Sequence, residues 1–270
     1  MGPCRKSCVM YTLALWALVG PAAPLTFADG PLPDPLVRKL AEYAGAERGQ
    51  GVPITEAFLA RIFSGHFFYA LRFRQYPVAL VPPDPLESNN LFVVKPDGSV
   101  EHIRDTQALA GFFRASLAPI RTDAEGKDAA RAWLRLAEEF HQDGFFRFSI
   151  PDDAIQLAAT AGGGRQVTGK AIAEGQGGNR GEIVALLVFD QTGRLVTATE
   201  TASLKRGIRP ICQATKLLDP DPIVRAMAEQ ALLVMGKAAR EYLDERRAAA
   251  GPALRAAIDQ LWQRILAEDR

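Results

Sequence analysis

The hydrophobic pattern changes period along the chain, and the changes divide it into parts. Apolar positions at helical spacing mark two short helices, from about Leu36 to Tyr43 and from Ile54 to Phe63, where Phe58, Leu59, Ile62 and Phe63 share a face. Phe67 to Phe73 then reads as a strand, and Pro82-Pro83-Asp84-Pro85 as a loop. Leu91 to Val94 and Ser99 to Ile103 flank Lys95-Pro96-Asp97-Gly98, a turn with proline to preset φ and glycine to take a positive one, so the segment predicts a β-hairpin. Asp105 is placed to cap a helix carrying Leu109, Phe112, Phe113 and Leu117, which Pro119 ends.

Thr122-x-x-Glu125 has the spacing of a capping box. The helix behind it puts Ala130, Trp133, Leu134, Ala137 and Phe140 on one stripe. Arg131, Arg135, Glu138 and Glu139 lie opposite, a mixed-sign run that predicts a solvated helix back. After Gly144 the period shortens to that of strands: Phe145 to Ile150, Ile155 to Ala159, Gln166 to Ala173, Glu182 to Phe189 and Arg194 to Ala202. Asp190-Gln191-Thr192-Gly193 and the glycine-rich stretch Gly175 to Gly181 read as turns. Links this short require antiparallel pairing, because a parallel return needs a crossover of about a dozen residues. The predicted fold class is α+β: an antiparallel β-meander packed by helices, followed by a short all-α tail. At the level of architecture it resembles the cystatin-like folds, which carries no function.

The tail holds a second resemblance. Asp221-Pro222-Ile223-Val224-Arg225-Ala226-Met227-Ala228-Glu229-Gln230-Ala231-Leu232-Leu233-Val234-Met235-Gly236 is similar to the first helix of a HEAT-like repeat. Val224, Ala228, Ala231 and Met235 form a helical face whose small residues permit close approach. A second helix is predicted from Lys237 to about Ala249, before Gly251-Pro252 restarts the chain. Pro222, Val224, Arg225, Ala228, Leu232 and Met235 are echoed by Pro252, Leu254, Arg255, Ile258, Trp262 and Ile265. The resemblance implies a protein-binding surface, so another protein is the expected partner of these helices. One repeat and a fragment leave an apolar face uncovered at each end. The expectation is therefore that the segment docks on the α+β domain through Val224, Ala228, Leu232, Leu254, Ile258 and Trp262, with Trp262 buried.

The N-terminus reads as a secretory signal. Arg5-Lys6 is the basic region, Cys8 to Val19 the apolar one, and Thr26-Phe27-Ala28 the cleavage site. An uncleaved anchor is the alternative, although Pro21 and Pro24 interrupt the apolar stretch. The predicted division is a signal peptide over 1–28, a proline-rich linker over 29–35, an α+β domain over 36–208 and the HEAT-like segment over 209–270, in an exported protein. Neither Cys4 nor Cys8 has a lipoprotein box before it, and Arg5 is followed by lysine, which argues against a lipid anchor and against twin-arginine export.

Charge and cysteines narrow the functions. Hydrophobic residues at 48% and charged residues at 23% are those of a folded domain. Without Arg5 and Lys6 the balance is 30 basic residues, of the 32, against 31 acidic ones, which gives no electrostatic case for nucleic acid. Of three cysteines only Cys212 follows the signal, so no internal disulfide is expected there. With no His or Asp beside it to lower its pKa, it reads as a small buried side chain.

Motifs that suggest chemistry fail in context. Gly164-Arg165-Gln166-Val167-Thr168-Gly169-Lys170 fits the P-loop spacing, but Ala171 stands where a Mg²⁺-binding hydroxyl belongs and strand, not helix, follows. It is read as a hairpin loop that binds no nucleotide. Val167-Thr168-Gly169 also echoes the cystatin inhibitory Gln-x-Val-x-Gly, with Arg165 in the place of Gln. His66, His102 and His141 have no ligand spacing and read as surface or helix-end residues, His141 beside a helix C-terminus. Ser64-Gly65-His66 lacks a nucleophile elbow. Asp152-Asp153 reads as a turn, and Asp219-Pro220-Asp221 as the cap of a helix. No catalytic, cofactor-binding or metal-binding residue is assigned, and no cofactor is expected. The leading function is a non-catalytic exported module that binds a protein or an envelope component, without stable membrane insertion after cleavage. A hydrolase of small molecules or cell-wall material and a small-ligand carrier are the alternatives.

Overall fold

The computed structural model describes residues 32–75, 79–143, 146–175, 179–207 and 213–268. The signal-like segment 1–28 and Cys212 lie outside these residues, as does the middle of the glycine-rich turn. The fold class is α+β. Its first part comprises α1 (Asp34–Leu40), β1 (Gln50–Ile54), α2 (Ala57–Ile62), β2 (Phe67–Arg72), β3 (Asn89–Val94), β4 (Val100–Ile103), α3 (Thr106–Ser116) and α4 (Asp123–His141). The second part is a meander of β5 (Phe146–Ser149), β6 (Gln156–Ala159), β7 (Arg165–Gly175), β8 (Arg180–Phe189) and β9 (Leu195–Lys205). The tail holds α5 (Pro222–Met235), α6 (Arg240–Ala248) and α7 (Pro252–Glu268).

Two antiparallel sheets form. The first has the order β1-β2-β3-β4, and the second β5-β7-β8-β9 with β6 also paired to β7. The predicted hairpin between β3 and β4 is present: Lys95 N donates to Ser99 O at 2.8 Å and Gly98 takes φ 79°. Both helix starts form as their side chains dictate. Asp105 accepts from Ala108 N, and Thr122 and Glu125 close a full capping box. The strand β1 falls where helix was expected to begin. Gln50 to Ile54 pair with Arg72 to Phe68, and Pro53 is accommodated because β1 lies at the sheet edge, where a missing N–H costs no ladder bond.

The central helix α4 carries the largest difference from expectation. It lies between the two sheets, and one continuous core joins Phe68, Ala70, Leu91 and Val93 of the first sheet to Val167, Ile183, Ala185 and Leu187 of the second through Ala130, Trp133, Leu134 and Ala137. Its polar back is not solvated, since Asp128, Glu138 and Glu139 are all buried. That back is covered by α2 and the end of β2. On β2, Phe68, Ala70 and Arg72 share a face by the two-residue period, so Arg72 continues the apolar row with a charge and meets Glu139. The other face of the first sheet is also buried. Leu71, Phe92 and Val94 pack with Leu36 and Leu40 of α1, which is why β3 reads as an unbroken apolar run.

The segment read as a hairpin loop, Gly164 to Lys170, lies inside β7 from Arg165 onward, in keeping with the strand expected over Gln166 to Ala173. The turn precedes it, where Gly163 N donates to Thr160 O at 3.0 Å. Val167 is fully buried, so it forms no projecting inhibitory loop. Gly169 lies close under α4: a Cβ there would sit 3.0 Å from Leu134 Cδ1, which would have to shift by a few tenths of an ångström.

In the tail, α5 is capped by Asp221, which accepts from Ile223 N at 2.8 Å. The expected second helix begins as a 3-10 turn over Gly236–Ala239 before α6. The residues expected to face the α+β domain find partners nearer by. Ala228, Leu232 and Ile258 pack with Ala214, Leu217, Tyr242, Leu243, Leu261 and Ile265, all from the tail itself, and Tyr242 OH accepts from Ala214 N at 2.8 Å. Trp262, expected to be buried, is partly covered, with the Arg240 guanidinium 4.7 Å from its ring. An Arg180–Glu241 ion pair at 2.8 Å joins the tail to β8. No helix among the described residues is long and apolar enough to cross a membrane.

Candidate functional sites

Three groupings carry enough chemistry to be weighed. The first is the charged layer on the back of α4. Glu139, with its side chain 1% exposed, accepts three hydrogen bonds from Arg72, at 2.6 to 3.0 Å, and one from Arg135 at 2.9 Å. Arg135 also donates to Glu56 at 2.6 Å and to Glu138 at 3.4 Å. Two turns before Arg135, Asp128 takes Arg61 and Arg131, and Arg131 reaches Asp152. Burial pushes the Glu138 carboxyl up to about 7 despite the attraction of Arg135, with Glu139 and Glu56 adding repulsion. The layer ties α2 and β2 to α4. Each of its carboxylates is met by at least one arginine.

The second grouping closes the opposite side. Glu200 on β9 accepts from Trp133 Nε1 at 3.1 Å and Thr106 Oγ1 at 3.3 Å, and its Oε1 lies 2.6 Å from His141 Nε2. Ala198 and Glu200 are partly covered positions two residues apart on a strand otherwise largely exposed, and the Glu200 side chain is 5% exposed. Sequence reasoning gave His141 only the helix dipole as a partner. The signal that could have located this network was a glutamate in the inward register of β9.

The other histidines are separate. His102 stacks on Phe92 at 4.5 Å between ring centroids. Burial, with the nearby Arg104 and Lys39 charges, lowers it to about 4. His66 packs edge-on against Phe63 and Phe112, and its Nδ1 is near the Ser64 carbonyl, not the hydroxyl. The structure brings neither the three histidines nor the paired aspartates together. Asp152 joins Arg131, whereas Asp219 and Asp221 start α5. Lys170 pairs across the sheet with Glu182 at 3.1 Å.

The third grouping is a cleft of about 510 Å³ at the C-terminal end of α4. Its walls come from the start of β3, the residues after β4 and β9, and the helix end itself. Asn89 Nδ2 donates to the Gln142 carbonyl, holding the first sheet to the end of α4. A different kind of surface lies on α5. Ile223 is 68% exposed, Met227 55% and Val234 77%. At 3.6 residues per turn these three positions fall within about 40° of one another, over a length of roughly 16 Å. With the exposed Gln230 between Met227 and Val234, they form an uncovered, mainly apolar row on the face away from Ala228 and Leu232. No protein family, curated protein or solved structure matches the chain.

Proposed function

We propose that the chain is an exported, non-catalytic module whose C-terminal helices bind another protein. The observation that carries this reading is the α5 stripe of Ile223, Met227 and Val234. The tail's buried residues already have partners, so the stripe is surplus to its own core. Single exposed apolar residues are ordinary, but a row on one helix is the form taken by a binding face. A central methionine suits such a face, since its flexible thioether adapts to varied apolar partners. The partner chemistry that fits is an apolar strip some three helical turns long, as on an amphipathic helix. The likeness of this same helix to a HEAT repeat supports a protein as the occupant, and the order of charged, apolar and small residues over 1–28 supports export.

The test is affinity capture from an envelope fraction with the mature protein and with an Ile223→Asp/Met227→Asp variant. A protein retained by the first and lost from the second supports the reading, provided the variant melts as the parent does. Retention unchanged in the variant would overturn it. Self-association abolished by the same variant would instead assign the stripe to a second copy of the chain.

A further inference from the structure

We propose that the cleft at the C-terminal end of α4 binds a small zwitterion, a free amino acid or dipeptide, with its carboxylate on Arg104 and its ammonium on Glu87 and the helix end. The proposal concerns a site separate from the α5 stripe and stands or falls independently of it. At about 510 Å³ the cleft is within the size range of small-molecule sites, roughly 300 to 1,000 Å³. Its lining is rich in charge of both signs: Arg104 and Arg206 against Glu87, Glu139 and Asp143.

These charges are unequally occupied. Glu139 is consumed by Arg72 and Arg135, and Asp143 accepts from Phe146 N and lies 3.7 Å from Arg206. Arg104 and Glu87, by contrast, are exposed, and their side chains make no hydrogen bond or ion pair with any described residue. Elsewhere in this molecule guanidinium groups are repeatedly paired, Arg61, Arg72, Arg131, Arg135, Arg180 and Arg247 among them. A cleft that keeps one guanidinium and one carboxylate unengaged offers complementary contacts to a molecule carrying both opposite charges. The helix end adds direction. The negative end of the α4 dipole and its last carbonyls favour an ammonium group. The guanidinium fork of Arg104 matches a carboxylate. A plain anion would meet Glu87 and Asp143, and a plain cation would meet Arg104 and Arg206, so each singly charged ligand is penalised where the zwitterion is not.

The test is calorimetric titration of the full-length mature protein with a panel of free amino acids and dipeptides. Each is paired with its N-acetylated form, which lacks the ammonium, and its carboxamide, which lacks the carboxylate. Saturable binding by at least one zwitterion is expected, with both capped forms weaker by at least about tenfold, or 1.4 kcal/mol. Arg104→Gln should weaken the zwitterion by a similar factor while sparing its carboxamide, and Glu87→Gln should spare the N-acetyl form. Neither side chain has a hydrogen-bond or ion-pair partner among the described residues, so both variants should melt with the parent. Absence of saturable binding across the panel would overturn the proposal. Equal binding of capped and uncapped forms, or affinities unmoved by both substitutions, would do the same.

Discussion

Replacing Glu139 by alanine tests whether the back of α4 is an interior surface. The substitution removes a carboxylate that accepts three hydrogen bonds from Arg72 and one from Arg135. Arg135 retains Glu56 and Glu138, but Arg72 loses the only side-chain partner it has among the described residues. Breaking a buried ion pair from one side costs about 3 to 5 kcal/mol, because the surviving charge stays desolvated. The Arg72 side chain is 33% exposed, so water can reach part of it, and the lower end, about 3 kcal/mol, is expected. With a urea m-value of about 1 to 3 kcal/mol per M, the midpoint should fall by roughly 1 to 3 M with the slope unchanged. The double variant Arg72→Met/Glu139→Leu should recover most of the loss, since no unpaired charge remains. A Glu139→Ala variant within about 0.5 kcal/mol of the parent would refute the reasoning, because that is the cost at a solvated helix back.

Other consequences are open to measurement. Glu138 is held at about 7 in the folded protein, above its ordinary 4.5, so it binds a proton more tightly folded than unfolded and its contribution falls as pH rises from about 4.5 through 7. Glu138→Gln should therefore gain stability relative to the parent at pH 8 and lose that advantage at pH 5 in paired urea titrations; an equal effect at both values would contradict the assignment. His102 is depressed from 6.5 to about 4, so its contribution is present above 6.5 and lost as pH falls toward 4. In His102→Phe, which preserves the stack on Phe92, the decline in melting temperature across that interval should be shallower than in the parent. Trp133→Ala should cost about 3 to 5 kcal/mol, the range for a large buried aromatic, and also remove one of the donors to Glu200. Chemical denaturation checks this, and a loss below about 1 kcal/mol would place Trp133 outside the core.

The fold was legible where local chemistry decides it. The capping residues Asp105, Thr122 and Glu125, the Pro96-Asp97-Gly98 turn and the alternation along β8 each act within a few residues, and the structure places them as their side chains require. The β1 strand was obscured by Pro53, which argues against a central strand but not against an edge. The helix α4 was misread for a different reason. Arg131, Arg135, Glu138 and Glu139 have the composition of a water-facing surface, and their partners Arg72, Glu56 and Arg61 lie far away in sequence. A charged stripe buried by pairing cannot be told from a solvated one until α2 and the first sheet are in place. Glu200 is hidden in the same way, because its donors come from α3 and α4. The cleft is assembled from five separate stretches and leaves no linear motif. The α5 stripe differs: helical spacing put Ala228 and Leu232 on the packed side, but it did not say that Ile223, Met227 and Val234 opposite them would stay uncovered.

The claim that α5 is a binding face is tested most directly by site-specific photocrosslinking in living cells. A photoreactive side chain would replace Met227 in one strain and Thr199, exposed on β9, in another. A discrete adduct with a different protein is expected from position 227, absent at position 199 and lost when Ile223→Asp is added. Adducts that are identical from both positions, or that persist unchanged with Ile223→Asp, would contradict it.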